Sequence, residues 1–190
     1  MKNILKIVFL GVVGFGLLVY FTAPKNPNPV KKNYSKGDIT LDSFPRFFDV
    51  VSKGEYTKFQ DLFTGGKQYL VVLNHDGLAV FKDLHKYTNK DIILVANIVN
   101  TPWLIQKLAV DGKLEELFKD SKIPLINDSK GLIANILDIK DRNQNSYIVY
   151  EINDKNINKL FTSKVKLNAL QDGVTQEEIK NSIEEFLEKL

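Results

Sequence analysis

The chain has 190 residues, 26 Lys plus Arg against 23 Asp plus Glu, and no cysteine. Without a thiol, disulfide exchange and thiol peroxidase chemistry are excluded for this chain alone, because both need a sulfur nucleophile. The net charge of +3 is almost all lysine, with Arg46 and Arg142 the only arginines, so the concentrated arginine stripe of a nucleic-acid binder is excluded too.

From Ile7 to Ala23 the sequence is uncharged and rich in Ile, Val, Phe, Leu and Gly. Counted back to Ile4, with Lys6 free to snorkel, it reaches the roughly 20 residues that a helix needs to cross about 30 Å of hydrocarbon. Residues 1–23 are therefore expected to form a transmembrane anchor. The rival is a cleaved signal peptide behind the basic Lys2 and Lys6. The large Phe21 at the −3 position and Pro24 after the cleavage point argue against it. Lysines flank both ends of the span, Lys2 and Lys6 before it and Lys25, Lys31, Lys32 and Lys36 after it, so the positive-inside count does not set the orientation. One N-terminal span before one folded domain favours an inside N-terminus and an exported domain. The expected location is the inner membrane, with the C-terminal domain in the periplasm. Residues 24–37 hold Pro24, Pro27 and Pro29 and read as a stiff spacer of polyproline II character.

Residues 38–190 are enough for one domain. Continuous apolar runs at Tyr69–Leu73, Ile92–Ile98 and Tyr147–Ile152 predict strands covered on both faces. Leu78, Phe81, Leu84 and Tyr87 recur at helical spacing. Thr101 and Pro102 open a second helix carrying Trp103, Leu104 and Leu108. Ser129 is placed to cap a short helix through Leu132, Ile133, Ile136 and Leu137. Thr175 with Glu178 predicts a capping box for a last helix whose apolar face is Ile179, Ile183, Phe186, Leu187 and Leu190. Alternating strands and helices predict an α/β domain with a largely parallel sheet.

Lys53–Leu62, then Gly65-Gly66-Lys67 and the strand Tyr69–Asn74, resembles the opening of periplasmic thioredoxin-like proteins. Ile123–Gly131 resembles the P-x-x-x-D-x-x-G stretch of the redoxin and peroxiredoxin branch. Tyr147–Ile157, with its turn at Asn153–Asn156, is similar to that group's last hairpin. The resemblance implies a thioredoxin-like central sheet flanked by helices, with an N-terminal β-hairpin extension. It also implies a redox pair after Asn74 and a cis-proline near Asn145 or Ser146. This chain has His75, Asp76 and Gly77 at the first place and no proline at the second. The branch expected is thus a degenerate one.

His75 and Asp76 could form a replacement acid/base pair, with Asn145 in the same cleft. The competing reading makes His-Asp-Gly a turn, in which Gly77 supplies permissive dihedrals and Asp76 caps a helix beginning near Leu78. His85, ten residues further along that helix, would lie roughly 15 Å from His75, too far to share a metal. Asp128 and Ser129 read as a loop-to-helix cap. No phosphate-binding glycine loop or nucleophile elbow is present; Gly65-Gly66 is a turn. Neither cofactor nor metal is expected. Phe44, Phe47 and Phe48 around Pro45, together with Trp103, are candidate interface residues, against the alternative that they pack inside. The expected function is a non-enzymatic, protein-binding or scaffold role within a cell-envelope complex, such as a flagellar motor or a secretion or respiratory assembly. The alternative is a non-thiol enzyme or a small-ligand or chaperone-like module using the cleft near His75, Asp76 and Asn145.

Overall fold

The computed structural model describes residues 39–51, 56–99, 111–141 and 143–190. The expected span over 1–23, the linker over 24–37 and the helix carrying Trp103 lie outside them. Among the described residues no helix is long and apolar enough to cross a membrane.

A 3₁₀ turn over Leu41–Ser43 comes first, followed by a short hairpin in which β1 (Phe47–Asp49) pairs antiparallel with β2 (Tyr56–Lys58), Phe48 facing Thr57. One helical turn, α1 (Phe59–Leu62), leads to β3 (Lys67–Leu73). Then come α2 (His75–Phe81), β4 (Ile92–Ala96), α3 (Asp111–Phe118), β5 (Leu125–Asn127) and α4 (Leu132–Ile136). The chain closes with β6 (Ser146–Asn153), β7 (Asn156–Lys164), α5 (Ala169–Asp172) and α6 (Gln176–Glu188). The main sheet has the order β5-β4-β3-β6-β7. Strand β4 runs parallel to β3 and β5, whereas β6 runs antiparallel to both β3 and β7.

The sheet is therefore mixed, which corrects the largely parallel expectation. The two residues between Asn153 and Asn156 can only reverse the chain, so β6 and β7 must be antiparallel. Helices cover both faces, as the thioredoxin-like resemblance implies. On one face Val71, Leu73, Leu94, Tyr147 and Val149 pack under α2, α3 and α6. On the other, Leu70, Val72, Ile93, Val95 and Ile148 pack against Phe44, Phe48, Leu62, Phe63 and Ile133. Burial on both sides explains why these strands read as unbroken apolar runs.

The sheet's two edges are protected differently. At β5 the segment after β1 bridges Ile126 through Val50, and Val51 N–H donates to Leu125. At β7, Thr40 bridges Asn156, and Lys159 and Lys164 are exposed along the strand, a charge pattern that discourages edge pairing.

The last helix is built as its sequence predicts. Thr175 accepts from Glu178 N–H, and Glu178 accepts in return from Thr175 N–H at 2.9 Å. That bond, with Lys166 beside it, holds the Glu178 carboxyl down at about 2. The helix over Leu78–Tyr87 differs from expectation: α2 starts at His75 and ends at Phe81, and a separate 3₁₀ turn covers Leu84–Lys86. The chain must turn back into β4 within a few residues, and the tighter turn keeps Leu84 fully buried while doing so.

Candidate functional site

Three segments meet at the C-terminal ends of β3 and β4: the β3–α2 junction, the residue after β4, and the approach to β6. Crevices outside strand C-termini are where open α/β sheets place ligands. Here the position is filled by a hydrogen-bonded network. Asn74 Nδ2 donates to Ser146 Oγ at 2.8 Å and to the Asn143 carbonyl at 2.7 Å, while its Oδ1 accepts from Asn97 Nδ2 at 2.9 Å. Ser146 Oγ donates to the same Asn143 carbonyl at 3.0 Å. Backbone bonds from Asn74 to Ser146 and from Asp76 to Gln144 stitch the junction to the β6 approach. The Asp141 carboxylate accepts from Asn143 N–H and Nδ2, and these bonds hold its pKa below the ordinary value. All three polar bonds of the Asn74 amide are thus made within the fold.

The topology does bring His75, Asp76 and Asn145 into one neighbourhood, but the Asp76 and Asn145 side chains turn to different partners. No loop intervenes between β3 and α2, since Asn74 is the N-cap and His75 already helical. Asp76 is therefore in the first turn, buried, and does not cap its own helix as expected. Its two carboxylate oxygens accept from Asn168 N–H at 2.9 Å and Leu170 N–H at 3.1 Å, so it caps the distant α5. This arrangement lets Asn168 take up a left-handed φ of 59° just before that helix. Asn145 turns the other way and donates from Nδ2 to the Val165 carbonyl at 3.0 Å. Gly77 is helical, so permissive dihedrals are not its role. A Cβ there would sit 3.3 Å from Leu73 Cδ2, so glycine is what allows α2 to lie so close to β3.

His75 is half-buried, and burial lowers its pKa below 6.5, with Asp76 opposing the shift. Following the ring protons by NMR, His75 is expected to titrate below 6.5, and further below in D76N, where the opposing charge is gone. A midpoint above 6.5 would contradict the burial. His85 sits on the 3₁₀ turn, not on α2. Among the described residues no three His, Asp or Glu gather in a way that could hold a metal.

The aromatic residues at the start of the domain divide. Phe44 and Phe48 are buried, ringed by Phe63 at centroid distances of 5.6 and 5.7 Å. Neither is available as an interface residue, because the aromatic cluster under the sheet takes both. Phe47 alternates outward on β1 and is 58% exposed. Beside it stand Tyr56 at 71% and Leu132 at 51%, around a shallow groove of about 100 Å³ with Pro45 and Asn127 on its wall. Tyr56 and Leu132 were not singled out from the sequence. The alternation of Tyr56 against Thr57 on a hairpin partner of Phe47 was the signal that could have found the first.

Asp128 borders the same groove and is buried. Its carboxylate accepts from Ile133 N–H at 3.2 Å and Ala134 N–H at 2.9 Å, so it caps α4 in place of Ser129. Burial outweighs those bonds and pushes its pKa up to about 6. The folded state then binds more protons than the unfolded state between about pH 4 and 6. Its contribution to stability is thus greatest below that window and declines as pH rises through it. Urea midpoints across pH 4–7 should show this decline, and D128N should remove it. An unchanged slope in D128N would contradict the shift.

No family model matches the chain, and no curated protein matches it. Among solved structures it is similar to the exposed lipoprotein thioredoxin Etrx1 of Streptococcus pneumoniae, at 14% identity and a TM-score of 0.38, over 73% of this chain and 98% of that one. It is also similar to an uncharacterized conserved protein from Geobacillus kaustophilus, at 17% identity and a TM-score of 0.39, over 77% and 80%. Likenesses of this size bear on neither substrate nor partner.

Proposed function

We propose that this is a membrane-tethered, extracytoplasmic thioredoxin-like protein without redox activity, which acts by binding other envelope proteins as an accessory or scaffold subunit. The observation that carries the reading is the commitment of Asp76. The carboxylate best placed to serve a replacement acid/base pair spends both oxygens holding Asn168 and Leu170. A general base must be within reach of the proton it removes, and this one is buried and occupied. The absence of cysteine removes the thiol route. An exposed apolar trio, Phe47, Tyr56 and Leu132, supplies a surface suited to protein contact.

The test is site-specific photo-cross-linking of the full chain in its native membrane. A photoreactive side chain at Phe47, Tyr56 or Leu132 is expected to give one reproducible adduct, absent when the probe is at Lys180 or Glu184 on the solvent side of α6. Equal labelling from both surfaces, or no reproducible adduct from either, would sink the binding role. The exported placement rests on residues 1–23 and is tested separately by fusions at the C-terminus. Alkaline phosphatase activity is expected; a fluorescent green fluorescent protein fusion without phosphatase activity would reverse the orientation.

A further inference from the structure

A second cleft lies at the opposite end of the sheet from Asn74 and Asn97, under α1 and beside the chain entering β5. Its volume is about 290 Å³. Gln68, near the start of β3, forms part of the wall and is 1% exposed. Its amide is half satisfied. Nε2 donates to the Leu62 carbonyl at 3.1 Å and to Asp91 Oδ2 at 2.9 Å, which fixes the orientation of the group. The other half of the amide, Oε1, is buried and has no hydrogen-bond partner. Leaving such an oxygen buried and unmet costs about 1–3 kcal/mol, so a sequence that needed only packing here would do better with Leu or Met.

The rest of the wall indicates what could meet it. Asp61 and Asp91 stand at the exposed rim, opposed by the single ammonium of Lys122, so the mouth carries an excess of negative charge. Ser121 is engaged with Ile123 through both its hydroxyl and the Ile123 N–H. The floor is apolar, from Ile93 and Pro124. Acceptors outnumber donors, and the space is far larger than the roughly 30 Å³ share of one water.

We propose that this cleft binds a small organic cation bearing N–H donors, a primary ammonium or guanidinium on a short apolar stem. The N–H groups would bridge Gln68 Oε1 and the Asp91 and Asp61 carboxylates, and the stem would lie on Ile93 and Pro124. This site is separate from the Phe47 surface and from the junction around Asn74, and it stands or falls independently of the binding role proposed above.

The experiment titrates the full chain in detergent micelles with agmatine, following binding by calorimetry and the Gln68 side-chain amide by NMR. Tetramethylammonium supplies charge without N–H donors, and butyramide supplies donors without charge. Agmatine is expected to saturate and to shift the Gln68 amide, with each control at least roughly tenfold weaker, since one lost buried hydrogen bond corresponds to about that factor. Q68M is expected to weaken agmatine binding by about tenfold or more and D91N by a smaller factor. Should Q68M fail to fold, D91N and D61N carry the comparison. A lack of saturable binding overturns the proposal. It is equally overturned if tetramethylammonium binds as tightly as agmatine, or if the folded variants bind like the parent.

Discussion

Truncation of Asp76 to alanine is expected to lower the unfolding free energy by about 1–3 kcal/mol, the cost of taking a buried charged acceptor away from two half-buried N–H groups. The donors are Asn168 and Leu170, more than ninety positions away in sequence, so the loss should be concentrated at α5. Amide hydrogen exchange of the full chain would check this, with faster exchange over Ala169–Asp172 and little change in β3 or β4. The Asn variant separates charge from shape. One oxygen remains to accept, and an amide N–H₂ now faces a donor, so D76N should lie between alanine and the parent. If D76A were as stable as the parent, the carboxylate would be free for chemistry and the structural assignment would fail.

Replacement of Phe186 by alanine should cost more, about 3–5 kcal/mol. Phe186 on α6 is fully buried, edge-on to Phe81 of α2 at 5.0 Å and to Tyr147 of β6 at 6.1 Å. It joins the C-terminal helix, the helix after the β3 junction and the central sheet in one contact. Deletion leaves a cavity that three elements would have to collapse to fill, and each is fixed elsewhere. Urea unfolding of the full chain would measure it. A Leu replacement keeps much of the volume and should recover more than half of the loss. Stability of F186A within about 1 kcal/mol of the parent would mean that α6 does not dock as described.

The elements most legible in the sequence are those fixed by local chemistry. The capping box at Thr175 and Glu178 and the strands around Val71, Leu94 and Val149 need no knowledge of distant residues, and they stand where the sequence places them. The hairpin turn after Asn153 is equally local, with Asp154 at a φ of 55°. What could not be read was the choice of long-range partner. Asp76 looks like a local cap because it stands at a helix start. Only the fold reveals that Asn168 and Leu170 arrive beside it. Asp128 rather than Ser129 caps α4 because Gly131, at a φ of 66°, lifts the chain so that the earlier side chain reaches Ile133 and Ala134. The three phenylalanines at the start of the domain carry a legible pattern. Phe47 and Phe48 are neighbours on a strand, and alternation obliges one of them to face out. Gln68 directly precedes the apolar run Tyr69–Leu73. A polar side chain on the inward face of a buried strand is an anomaly that composition alone does not expose.

Under the proposed binding role, the exposed face around Phe47 makes the contact and the junction at His75 and Asp76 is structural. Quantitative co-purification of the full chain from membranes, comparing the parent with F47S/Y56S and with H75A, tests it most directly. The double variant is expected to lose its stoichiometric partner while H75A keeps it at the parent's level, with both variants folded by circular dichroism. Loss of the partner in H75A with retention in F47S/Y56S would contradict it, and would return the function to the ends of β3 and β4.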